Sequence, residues 1–155
     1  MTSLYAYFPG RGSHLGHAAG LVAGGAYLVV ILLLYGLLKP VNPTHSLLAA
    51  FFGVVGVARS TDSIFFFGIY CILLGYLIYS ATFFPRFLGV LMVLAGFGLL
   101  VNNLANLLPP GVVHIVSIVG FSCDGIGEIL FTLWLLVVGV NVQRWEEAMA
   151  QIGAA

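Results

Sequence analysis

The sequence predicts an all-α fold: a polytopic transmembrane helix bundle with about five membrane segments, the second of them short or re-entrant. Three observations carry that prediction. Hydrophobic residues make up 61% of the 155 residues and charged residues 6%, with a mean hydropathy of +1.13, whereas a soluble domain carries about 25% charged residues. The apolar residues fall in runs of helix-spanning length rather than in alternation. Short polar or proline-rich breaks separate the runs. The length fits a single integral membrane domain, 1–155.

The first segment, residues 17–38, begins after Arg11, His14 and His17 and ends at Lys39-Pro40. It lacks a small-residue cleavage pattern and reads as a retained span rather than a removed signal. Ahead of it, Tyr5, Tyr7 and Phe8 precede Pro9-Gly10, a composition that suits the headgroup region. Gly12, Gly16, Gly20 and Gly24 recur every four residues. Small residues at that spacing admit the backbone of another helix, from this chain or a second copy.

Pro40 and Pro43 break the first helix. Thr44 or Ser46 is positioned to cap the second segment, residues 45–60. Its strictly apolar part, 47–58, reaches only about 18 Å across a hydrocarbon layer of roughly 30 Å. It either spans with polar ends at the interfaces or forms a re-entrant half-helix. Asp62 or Ser63 caps the third segment, 63–84, where Gly68 and Gly75 share a face and Tyr76 and Tyr79 suit an interfacial belt.

After Pro85-Arg86 comes the fourth segment, 87–108, with Gly89 and Gly96 seven apart and Asn102, Asn103 and Asn106 near its end. Pro109-Pro110-Gly111 closes it. The fifth, 112–140, would be about 43 Å long as a helix, so it tilts, breaks within 120–127, or begins at the interface; Gly125-Ile126-Gly127 is the expected bend. In the tail, 141–155, Val142, Trp145, Met149 and Ile152 form one side of a short helix suited to the membrane surface.

Four stretches in order carry a family resemblance: Leu34-Tyr35-Gly36-Leu37-Leu38-Lys39-Pro40-Val41-Asn42; Phe67-Gly68-Ile69-Tyr70-Cys71-Ile72-Leu73-Leu74-Gly75-Tyr76-Leu77-Ile78-Tyr79; Phe84-Pro85-Arg86-Phe87-Leu88-Gly89-Val90-Leu91; and Gly127-Glu128 through Trp134-Leu135-Leu136 to Gly139-Val140-Asn141. Together they resemble a bacterial family of multi-pass membrane proteins known as domain of unknown function 4386, over roughly residues 28 to 147. The resemblance implies a helical bundle of about six spans. This chain departs from it by lacking an apolar helix before His17 and by a shortened region after Phe51-Phe52-Gly53. Glu128 matches a family position and Asp124 does not. The resemblance supplies no activity.

Charge excludes one broad class of function. Five basic and five acidic residues give a net charge of zero with no basic run, so nucleic acid has nothing to bind. Basic residues divide three against two in either topology: Lys39, Arg86 and Arg144 against Arg11 and Arg59 for five spans, or Arg11, Arg86 and Arg144 against Lys39 and Arg59 for four spans and a half-helix. With the resemblance, the expectation is five crossings of a bacterial inner membrane with the C-terminus cytoplasmic.

The candidate site lies in the fifth segment. Asp124 and Glu128 are four apart and share a helix face, with Ser117 and Thr132 near the same stripe. An ionisable side chain inside a span is costly and faces a cavity or a partner. One reading is structural, with the carboxyls bonded to a helix carbonyl, to Asn102, Asn106, Ser117 or Thr132. The other is a proton relay. Cys71 and Cys123 read as buried small hydrophobes, and His14, His17, His45 and His114 as interfacial residues, so neither metal nor cofactor is expected.

No nucleophile motif, phosphate loop or dinucleotide fingerprint is present. The expected function is therefore a non-enzymatic structural or accessory component, whose partners are the lipid bilayer and a second copy or a membrane complex. It packs through Gly16, Gly20, Gly24, Gly68, Gly75, Gly89 and Gly96. The alternative is a small proton-coupled transporter or channel using Asp124 and Glu128.

Overall fold

In the computed structural model the described residues, 14–57, 63–104 and 110–153, are helical with short connections. Six helices follow in order: α1 His14–Leu38, α2 Pro43–Val57, α3 Ser63–Ser80, α4 Arg86–Leu104, α5 Pro110–Val137 and α6 Val142–Gly153. Four of them contain stretches long and apolar enough to cross a membrane: Ala18–Leu38, Ser63–Ser80, Arg86–Leu104 and Ser117–Val137. The fifth apolar helix, α2, is shorter at 15 residues. The N-terminal aromatic segment, Gly12, Arg59, Asp62 and Asn106 lie outside the described residues.

Local chemistry sets the helix ends. Asn42, rather than Thr44 or Ser46, caps α2: its Oδ1 accepts the amide of His45 at 3.0 Å, and Pro43 then occupies the first helical position, where a missing amide costs nothing. Ser46 instead donates its hydroxyl to the carbonyl of Tyr35 at 3.0 Å, tying α2 to the end of α1. Asn141 caps α6 in the same manner, accepting the amide of Arg144 at 3.1 Å. At the end of α5, Gly139 takes a left-handed φ of 71° and its amide donates to the carbonyl of Trp134, a conformation that favours glycine.

Neighbouring helices pack in chain order, α1 on α2, α2 on α3, α3 on α4 and α4 on α5. The core follows α3, whose Tyr70, Cys71, Leu74, Leu77 and Ile78 are buried together with Ile31 and Leu38 of α1 and Leu88 and Met92 of α4. The tightest seam joins α3 to α4. A Cβ on Gly75 would lie 2.7 Å from the carbonyl oxygen of Gly89, and one on Gly89 would lie 2.6 Å from that of Gly75. Gly68 and Gly96 repeat the arrangement one heptad away. Glycine is required here because backbone meets backbone.

The same rule joins α4 to α5 through Gly98 and Gly120, a pair not singled out in the sequence. A Cβ on Gly120 would come within 2.5 Å of the carbonyl oxygen of Gly98. At the expected bend, Gly125-Ile126-Gly127, the helical assignment is not interrupted: α5 runs as one helix of 28 residues. Gly120 and Gly127 serve close packing against α4 instead, Gly127 meeting Ala95.

The helix ends resolve the topology. Gly53 meets Tyr70 and Gly56 meets Phe67, so α2 runs antiparallel to α3. The end of α3 returns beside Pro40 and Val41 of the α1–α2 connection. Had α2 been a half-helix that turned back, α3 would have ended at the opposite side. Arg144 reaches the same end, its guanidinium donating to the carbonyl of Thr82 at 3.0 Å, and Trp145 donates its indole N–H to the carbonyl of Leu37 at 3.0 Å. Lys39, Arg86 and Arg144 therefore share one end of the bundle, as the five-segment count requires. Trp145 turns inward from the stripe expected at the surface, while Val142 and Met149 remain exposed.

Candidate functional site

Helical geometry presents one stripe of α5 to the bundle: Gly120, Gly127 and Phe131 are buried, and Asp124 falls between the two glycines on the same face. Glu128 lies one turn further along. Each four-residue step advances about 40° around a helix, so Thr132, two steps past Asp124, has rotated out and is exposed. Ser117 is half-buried about two turns before Asp124.

Glu128 is met by a residue that the sequence reading passed over. The hydroxyl of Tyr27, on α1, donates to Glu128 Oε1 at 3.0 Å. Tyr27 is held in place by aromatic contact with Phe67 of α3, ring centroids 5.5 Å apart, and Phe67 in turn contacts Tyr70 at 5.6 Å. Asp124 has no such partner: its Oδ1 is buried and makes no hydrogen bond among the described residues.

Cys71 completes the cluster. It is free, 0% exposed and placed on α3, and its Sγ and one oxygen each of Asp124 and Glu128 lie within 4.8 Å of one another. Three helices thus bring a phenol, a thiol and two carboxyls together inside an apolar bundle. A cavity of about 370 Å³ opens beside them. Gly20, Ala23, Gly24 and Tyr27 of α1 wall it on one side, Gly56, Val57, Ile64 and Phe67 on another, and Leu99, Phe121 and Asp124 complete it. Tyr27 and Asp124 are the polar side chains of that lining.

The other expected residues are distributed differently. Asn102 is buried, but it sits against Gly120, two helical turns from Glu128. The carboxyl of Glu128 therefore finds α1 rather than the asparagines of α4. Gly20 and Gly24 line the cavity; within this chain the nearest atom to a Cβ on Gly24 is Val57 Cγ1 at 3.8 Å. Gly16 belongs to α1 as well. The expectation of two buried thiols fails for Cys123, which is exposed at the margin of the α4–α5 seam.

One of the two missed residues carried a sequence signal. A tyrosine hydroxyl at mid-helix in an apolar segment needs a hydrogen-bond partner, which was a reason to look for a carboxyl opposite Tyr27. Cys71 carries no spacing signal at all, because its neighbours come from α5, more than fifty residues away in the chain.

Comparison with known proteins places this architecture. The sequence model of the family described as Domain of unknown function (DUF4386) matches residues 61–139, which contain α3, α4 and α5. An uncharacterized protein of Archaeoglobus fulgidus is 30% identical over 138 residues, covering 74% of this chain and 82% of the archaeal one. The chain belongs to the DUF4386 family. No solved structure matches it significantly. The family match includes Cys71, Asp124 and Glu128 but not Tyr27.

Proposed function

We propose that this DUF4386 protein is a small proton-coupled transporter or channel whose working groups are Asp124 and Glu128, with Tyr27 holding Glu128 in position. One observation carries the reading: Asp124 presents a buried oxygen without a hydrogen-bond partner among the described residues, at the wall of a cavity. A purely structural polar network is stable only when its members are satisfied. A buried carboxyl left unsatisfied destabilises the fold, and such groups inside membrane helices mark ion or proton pathways.

The accessory role loses part of its motive in this arrangement. Gly68, Gly75, Gly89 and Gly96 are engaged within the chain, on one another's backbones, so they are not offered to a partner. The surroundings are read as lipid: Val22, Leu33, Leu136 and Val137 are among the large apolar residues facing outward, and Lys39, Arg86 and Arg144 at one end support a cytoplasmic C-terminus. The protein is read as non-enzymatic.

The test is proton flux. Purified wild type, Asp124→Asn and Glu128→Gln are reconstituted in proteoliposomes containing a pH-sensitive dye, and a pH gradient is imposed. The expected result is a wild-type flux that falls at least tenfold in Asp124→Asn and in Glu128→Gln. Equal fluxes in the three proteins would remove the proposal.

A further inference from the structure

We infer that Cys71, Asp124 and Glu128 form a binding site for one divalent transition-metal ion of the zinc class inside the bundle. The inference rests on the reading of this cluster as the working site and names its ligand. The first ground is convergence: three different ligand types from α3 and α5 place their donor atoms within 4.8 Å of one another. A four-coordinate ion with bonds of about 2.0–2.3 Å holds ligand pairs roughly 3.3–3.7 Å apart. Side-chain shifts of about an ångström close the present arrangement around it.

The second ground is the state of the donors. Cys71 is completely buried and free, and Asp124 Oδ1 is buried without a hydrogen-bond partner among the described residues. Both therefore keep unused ligating capacity within the cluster's residues. Tyr27 supplies what a ligating carboxylate needs from its surroundings, a hydroxyl at 3.0 Å that orients Glu128. The cavity that Asp124 borders gives the ion a route to the site.

The donor set selects the class of ion. Magnesium and calcium take six or more oxygen ligands, which this apolar surround does not supply. A thiol with two carboxyls is a mixed set suited to borderline ions such as zinc, cobalt or cadmium. With Cys71 ligating as the thiolate beside two carboxylates, the divalent cation offsets most of the ligand charge and leaves one net negative charge at the site. Binding displaces the protons the ligands carry, so metal entry and proton release are one exchange at this site.

The full chain, purified in detergent and stripped of metal, is titrated with cobalt chloride and followed by electronic absorption. The expected result is saturation at one equivalent, with a near-ultraviolet thiolate-to-cobalt band. Cys71→Ser should abolish the band, the near-isosteric Asp124→Asn should weaken binding at least tenfold, and Cys123→Ser should change neither. Zinc should raise the thermal midpoint of wild type and not that of Asp124→Asn, a readout that stands even where Cys71→Ser fails to fold. Absence of saturable binding, or a band lost in Cys123→Ser rather than Cys71→Ser, overturns the metal site. Loss of cobalt binding with flux still dependent on Asp124 refutes the metal alone, and cobalt binding with equal fluxes refutes the proton reading alone.

Discussion

The two sides of this bundle use the same small residue for opposite ends. Between α3 and α4, glycines spaced seven apart on each helix meet in reciprocal pairs, and the backbones close onto one another. On α1, a Cβ on Gly24 would meet nothing closer than Val57 Cγ1 at 3.8 Å, Gly20 and Gly24 border a cavity, and Gly25 has no atom within 4 Å of where its Cβ would stand. Spacing alone does not distinguish these outcomes. A glycine face becomes a seam only when the partner helix carries glycine at the matching level, as Gly75 and Gly89 do.

The comparison is broken most forcefully at its closed side. Gly89→Leu places a branched side chain where the backbone of Gly75 and Tyr79 already lies, and overpacking of this kind costs about 3 kcal/mol or more. Gly25→Leu enters open space and should stay within about 0.5 kcal/mol of wild type. Thermal unfolding of both variants in detergent measures the difference. Equal destabilisation would mean that the two sides are not distinct.

A smaller effect separates the two carboxyls. Glu128→Leu strands the Tyr27 hydroxyl and should cost about 1–3 kcal/mol. Asp124→Leu removes a buried group with no partner among the described residues and should be neutral or stabilising in the same assay. The smallest effect belongs to Tyr27→Phe, because hydrogen bonds between membrane helices are worth about 0.6 kcal/mol on average. A double-mutant cycle with Glu128→Leu, which removes the acceptor, should return a coupling of about that size, and a coupling of zero would detach α1 from the cluster.

Much of the architecture was legible because apolar length and proline breaks are local signals. Pro40, Pro43, Pro85 and Pro110 each stand at or next to a helix boundary, and the glycines of α3 and α4 carry their heptad spacing openly. What stayed hidden depended on rotation and register. Gly125 and Gly127 look like a hinge in the sequence, yet the helix continues through them because Gly127 is needed against α4. Asp124 and Glu128 stood out as charges in an apolar run. Their actual neighbours, Tyr27 and Cys71, are ordinary residues of apolar helices, and only the angle at which α1 and α3 face α5 brings them together.

The anchoring of α1 is uneven along its length. Near its C-terminal end, the carbonyls of Tyr35 and Leu37 accept from Ser46 and Trp145, and Ile31, Leu34 and Leu38 are buried. Toward the other end, Ala18, Ala19, Leu21 and Val22 are exposed. A helix clamped at one end behaves as a lever: Gly20 stands about 27 Å from Leu38 along the axis, so a slight pivot at the clamp is magnified where α1 borders the cavity. The Tyr27 hydrogen bond lies between fulcrum and tip, where it ties the less buried part of α1 to α5.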